Sequence, residues 1–268
     1  MKVVITGKGG VGKTTVSGTL ARLLARSGHT VVAVDCDPSP NLGAALGLDP
    51  DVVEGLPAVL NGLVASGFTH NDPRPDPEEL LARFGADAPD GIRLVVAARI
   101  ERLPDTCMCC GSHRTTRELF SELSDLDRIV LADLEAGLND FLWARPKAGD
   151  AVVVVADSSA KAVEIARRAV LIAGTLGIER VIGVANRSAD PEQREHLAAV
   201  LGVPVVAVPD DRAVAEAGYG GLAPIDVAGS SPAVGAIGQL AGWLMEPTPT
   251  APAPAPAPAP APSSLALS

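Results

Sequence analysis

Gly7-Lys8-Gly9-Gly10-Val11-Gly12-Lys13-Thr14-Thr15 decides the fold of this chain. Its first eight residues fill the G-x-x-x-x-G-K-[ST] pattern. The apolar run 2–6 precedes it and a helical pattern, Lys13–Arg26, follows. A strand that turns into a helix through glycines lets several backbone N–H groups converge on phosphate oxygens. The helix adds its positive N-terminal end. Lys13 then stands to reach the β- and γ-phosphates, and the Thr14 hydroxyl to hold Mg²⁺.

Outward from this loop, short valine-rich runs alternate with helical patterns. Residues 2–6, 30–35, 92–97, 128–134, 151–156, 180–185 and 204–208 read as strands. Most show no in/out alternation, which is the pattern of strands covered on both faces, hence of a mostly parallel sheet. Residues 13–26, 115–124, 160–176, 191–201, 212–217 and 232–245 read as helices. The fold expected is α/β: a single doubly wound, mostly parallel sheet in one domain over residues 1–246. Residues 49–90, rich in Pro, Gly and Asp, interrupt the alternation and read as an insertion of mobile loops and short helices (56–64 and 77–84). In the Pro/Ala repeat of 247–268, proline at every second residue forbids helix and sheet, so a disordered, solvated tail is expected.

Composition narrows the function classes. The 268 residues carry a net charge of −10, with no offsetting basic cluster, which disfavours nucleic acid as a partner. The N-terminus enters the glycine loop too soon for a signal peptide, and the longest apolar run, 148–156, is too short for a membrane span. Four cysteines, three of them within 107–110, suit metal or redox chemistry better than disulfides, and a cytoplasmic setting is expected.

Two further strands end in acids: Asp35-Cys36-Asp37-Pro38 and Asp133-Leu134-Glu135-Ala136-Gly137. Carboxyl ends of parallel strands are where open α/β sheets bind ligands, so Asp35, Asp37 and Asp133 are expected beside the phosphate loop. The alternatives are that Asp35 or Asp37 caps the next helix and that Asp133 ends a strand in solvent; Cys36 reads as a small buried residue. In Cys107-Met108-Cys109-Cys110-Gly111-Ser112-His113, a following helix start near Arg114 would favour the metal-binding thiolate. Cys107 and Cys109 from two chains would supply the four thiolates of a tetrahedral Zn²⁺ or Ni²⁺ site. Cys110 and His113 leave a one-chain site open as the alternative, and a redox-sensitive or inert loop as another.

Lys8–Thr15 resembles the deviant Walker A motif of the MinD, ParA, ArsA and nitrogenase iron-protein group. That resemblance implies an ATPase in which Lys8 reaches the partner's nucleotide across an ATP-gated homodimer. It implies that Asp37 positions the attacking water and that Asp133, with Asp35, shapes the Mg²⁺ shell. It also implies that Asn186 and the Pro209-Asp210 loop meet the adenine. An N-K-x-D pattern is absent after Asn186, since Ala189 holds the aspartate's place, so ATP is expected over GTP. With Cys107/Cys109 and Glu135 added, the chain resembles CooC-type proteins over roughly residues 1–245. That likeness implies nickel or zinc delivery to a client metalloenzyme, carbon monoxide dehydrogenase in that branch. Two other classes compete. A MinD/ParA-type positioning ATPase would call for an amphipathic membrane helix or a basic face. An iron-protein-like reductase component would call for a second cysteine near Asp133, and residues 134–141 contain none.

Overall fold

The computed structural model describes residues 1–68, 72–73, 75–100, 115, 119–123, 125, 127–144, 146–147, 149–188 and 190–246. Cys107, Cys109, Cys110, His113, part of the expected helix 115–124 and the tail 247–268 lie outside the described residues.

The strands are β1 (Lys2–Gly7), β2 (Val31–Asp35), β3 (Ala86–Ala88), β4 (Ile92–Val96), β5 (Ile129–Asp133), β6 (Ala151–Ala156), β7 (Arg180–Asn186) and β8 (Val205–Val208). Among the described residues they form one sheet in the order β3-β4-β2-β5-β1-β6-β7-β8. Every pairing is parallel except β3 with β4. The central strands β1, β2, β5 and β6 are buried along their whole length, whereas β8, at the edge, is mostly half-buried. The unbroken valine runs therefore mark position in the sheet as well as strand type.

The helices are α1 (Lys13–Arg26), α2 (Leu42–Leu46), α3 (Pro50–Gly55), α4 (Val59–Ala65), α5 (Pro77–Phe84), α6 (Asn139–Ala144), α7 (Ala160–Thr175), α8 (Pro191–Leu201), α9 (Arg212–Tyr219), α10 (Pro224–Val227) and α11 (Pro232–Met245). Residues 119–122 are helical too, and Leu119, Phe120 and Leu123 are fully buried. From β1 the chain crosses one way through α1 to β2, and from β6 the other way through α7 to β7. Right-handed crossovers in opposite directions put α1 and α7 on opposite faces. The crevice this leaves at the carboxyl end of β1, between β5 and β6, is the topological switch point.

Residues 49–90 hold more regular structure than the loops and two helices expected. Asp49 caps α3 and Asp76 caps α5, each followed by proline at the first helical position. α4 starts at Val59, later than position 56, because Ala58 is extended and bridges to Val96. β3 then adds an antiparallel edge to β4.

An ion network fastens this region to α1. The Arg22 side chain is 3% exposed and donates to Asp90, to the Leu46 carbonyl and, through two bonds of 2.8 and 2.9 Å, to Asp226. Arg26 reaches the same two aspartates at 2.8 and 2.9 Å. A buried guanidinium with its donors satisfied is costly to remove, because the carboxylates remain. Both aspartates are partly exposed, which softens that cost. Arg22→Ala is therefore expected to lower the unfolding free energy by about 2–4 kcal/mol. Urea titration checks this, and a loss below about 0.5 kcal/mol would show the network to be idle.

Candidate functional site

β1 ends at Gly7, whose carbonyl accepts the Gly137 N–H at 3.0 Å, joining the glycine loop to the segment after β5. Gly12 caps α1 with φ 92°, in the left-handed region. A Cβ there would lie 2.3 Å from Asn186 Nδ2, and one at Gly7 would lie 2.2 Å from the Val155 carbonyl oxygen. Two glycines are thus required by close approach of backbone and neighbour, as a phosphate cradle demands. Lys13 is buried, with Nζ 3.5 Å from the Lys8 carbonyl oxygen. Burial lowers its pKa, while the carboxylates of Asp133, Asp37 and Glu135 act in the opposite direction.

Asp35 and Asp133 are paired in register on β2 and β5 and are 1% and 2% exposed. Asp133 is therefore no solvated strand end, while Asp35 meets the start of α2. Asp35 accepts the N–H groups of Asn41 (2.9 Å), Leu42 (2.8 Å) and Asp37 (3.2 Å). Asp133 accepts the Ser17 hydroxyl at 2.9 Å. Burial pushes Asp35 up to about 7; the Asp133 charge adds to this, and the bonds from Leu42 and Asp37 oppose it. Burial pushes Asp133 up to about 6, against hydrogen bonds from Thr14 and Ser17 and the charge of Lys13. Asp37 sits at the turn beyond β2, half-buried, its Oδ1 accepting the Ser39 N–H at 2.8 Å. Cys36 is fully buried, as expected of it.

The arrangement suits a polyanion with a divalent cation. A buried ammonium and a row of loop amides face two carboxylates whose pKa values burial raises, the charge of Asp133 adding to the rise at Asp35 and that of Asp37 to the rise at Asp133.

Beside the loop lies a cavity of about 310 Å³ lined by Gly12, Thr15, Asn186, Pro209, Asp210 and Tyr219, among others. It joins every residue expected at the base. Asn186 does not cap α8; Asp190 does, through the Glu192 N–H. Instead Asn186 Nδ2 donates to the Val11 carbonyl at 2.6 Å. Val11 O can only accept, so the amide's orientation is fixed, and its Oδ1 is the end available to accept from a ligand. An acceptor there matches the exocyclic amine of adenine and mismatches the oxo group of guanine. Arg187, at φ 54°, donates to the Gly10 carbonyl at 3.2 Å.

Sequence reasoning passed over Ser17, Arg187 and Tyr219. Ser17 had a signal: a hydroxyl one helical turn beyond Lys13, inside an otherwise apolar face. Among the described residues no group of three or more His, Cys, Asp or Glu is placed to hold a metal ion, and no helix is long and apolar enough to cross a membrane.

Residues 2–225 match the CobQ/CobB/MinD/ParA nucleotide-binding domain. The chain belongs to that family. It is an ATPase, with ATP as its nucleotide. It is 31% identical over 201 residues to the carbon monoxide dehydrogenase accessory protein CooC of Rhodospirillum rubrum, covering 71% of this chain and 76% of that one. An uncharacterized ATP-binding protein of Methanocaldococcus jannaschii is 32% identical over 196 residues, 70% and 75% of the two chains. In fold it is similar to the septum site-determining protein MinD of Pyrococcus horikoshii, solved with Mg-ADP. The TM-score is 0.70 at 20% identity, covering 91% of this chain and 96% of that one.

The carboxylate pair gives a pH dependence with a definite sign. The folded values, about 7 and about 6, stand above the ordinary 3.8, so the folded chain takes up protons that the unfolded chain does not. This contribution to stability is whole below about 3.8 and is lost as pH rises through 6 and then 7. Without Mg²⁺ and nucleotide, the thermal midpoint of this ATPase should fall as pH rises through that window, and Asp35→Asn should flatten the fall. Parallel melting profiles for the two proteins would rule this out.

Proposed function

We propose that this ATPase is a nucleotide-gated carrier of nickel or zinc for a client metalloenzyme. Lys13 and the amides of Gly9–Thr15 hold the phosphates, and Asp37 orients the attacking water. Thr14, Asp35 and Asp133 would hold Mg²⁺, which when bound neutralises phosphate charge. Lys8 completes that neutralisation in a second copy, so ATP closes a homodimer. Cys107 and Cys109 of the two copies then form one thiolate site.

The observation that carries this reading is a backbone contact. The Ile100 N–H donates to the Pro38 carbonyl at 3.0 Å. The chain leading from β4 toward Cys107 is therefore bonded to the turn that holds Asp37. A change at Asp37 on ATP binding or hydrolysis would be passed to that chain directly. The 31% identity to CooC, which is a carbon monoxide dehydrogenase accessory protein, supports the same reading, with that enzyme as the client class.

A second reading is a metal-free switch ATPase that binds and releases another protein. The 28% identity over 205 residues to the antiactivator FleN of Pseudomonas aeruginosa favours it. Equilibration with Zn²⁺ or Ni²⁺, with and without a non-hydrolysable ATP analogue, separates the two. The carrier should take up roughly one ion per two chains, with an affinity that changes with nucleotide, and Cys109→Ser should abolish uptake. Unchanged metal content in Cys109→Ser would overturn the carrier and leave the switch.

A further inference from the structure

Tyr219 is the sole tyrosine in a chain poor in aromatics. Phe84, Phe120 and Phe141 are buried in the core, but Tyr219 is 92% exposed. It is the last residue of α9 and lines the same cavity as Asn186 and Gly12. A large aromatic left in water beside a cavity is poorly placed for stability and well placed for a planar ligand.

α9 is shaped for the same purpose. Asp211 caps it, accepting the N–H groups of Ala213 and Val214, which fixes its start next to Pro209 and Asp210. Val214, Ala215, Gly218 and Tyr219 then fall on the side lining the cavity. Ala215 and Gly218 keep that wall low. A Cβ added at Gly218 would have no atom within 4 Å, so the space beside it is open.

We infer that Tyr219 is the stacking platform of this ATPase's nucleotide site, covering one face of the purine while Asn186 reads its edge. The inference rests on the P-loop cavity being the ATP site, and it adds a residue and an interaction to that site. Stacking tolerates any base, so Tyr219 supplies affinity and Asn186 supplies the choice of adenine. Arg187, on the same cavity and bonded to the Gly10 carbonyl, ties the base wall to the phosphate loop.

The test compares ATP with inorganic tripolyphosphate, which has the phosphates and lacks the base, by calorimetric titration. Tyr219→Ala should weaken ATP on the order of tenfold and leave tripolyphosphate unchanged, and Tyr219→Phe should bind ATP as the parent does. Gly218→Val, whose added Cβ has no protein atom within 4 Å, should weaken ATP in the same selective way by narrowing the cavity. With fluorotyrosine in place of the one tyrosine, a single ¹⁹F resonance should move on adding ATP and stay on adding tripolyphosphate. ATP affinity unaltered in both Tyr219→Ala and Gly218→Val would overturn the assignment. So would equal losses for the two ligands, the result expected if Tyr219 serves a contact between chains. Lys13→Ala keeps the two levels apart: it should weaken both ligands, and if it weakens neither, the P-loop site itself is misassigned whatever Tyr219 does.

Discussion

Two carboxylates buried side by side at the ends of β2 and β5 are the constraint around which the molecule is organised. Left alone, such a pair repels, and burial deprives each of water. The fold answers locally. Three backbone N–H groups bond Asp35, the Ser17 hydroxyl bonds Asp133, and the Lys13 ammonium stands near. These groups compensate in part, since both carboxylates still hold protons more tightly than ordinary aspartates. A site with residual negative charge, facing a loop of amides and a buried lysine, is poised for a partner that brings both signs. A nucleotide triphosphate with its divalent cation is such a partner.

The same constraint explains why strand order matters more than strand count. β5 lies between β2 and β1, so Asp133 sits in register with Asp35 on one side and Ile5 on the other. The bond from Gly137 to Gly7 closes the arrangement by holding the segment after Asp133 against the loop's first residue. Position in the sheet, and not separation along the chain, makes residues 5, 35 and 133 neighbours.

Much of this was legible in the sequence because it rests on local signals. The glycine loop, the valine runs and the Asp-Pro helix starts at residues 76–77 and 190–191 each carry their own physics. The same Asp-Pro pair at 49–50 opens α3 and was hidden by its Pro/Gly-rich surroundings. β3 escaped because three residues, Ala-Asp-Ala, have no strand propensity of their own; pairing with β4 makes them a strand. Asn186 was singled out from its place at the end of a strand, but its bond to Val11 joins residues 175 apart and leaves no trace in local pattern. Ser17 and Tyr219 share that character. A hydroxyl in a helix and an aromatic at a helix end acquire meaning from what another strand or loop sets opposite them.

The two ends of the site are mechanically one object. Asn186 and Arg187, at the end of β7, bond the carbonyls of Val11 and Gly10, so the cavity wall they form cannot shift without moving the glycine loop. Arg187 holds a left-handed φ to do so, a conformation unfavourable for a residue with a side chain. Arg22 and Arg26, toward the other end of the loop's own helix, tie it to Asp90 and Asp226 in two separate connections of the chain. α1 is thus restrained at its start by β7 and near its end by residues 90 and 226. The turn at Asp37–Pro38 is held by short-range bonds along the chain and one to β4's continuation: the Asp37 N–H donates to the Asp35 carboxylate, the Ser39 N–H to Asp37, and the Ile100 N–H to the Pro38 carbonyl. In the cycle proposed above, movement on hydrolysis would fall to that turn and to the backbone that continues from β4, while α1 stays held at both ends.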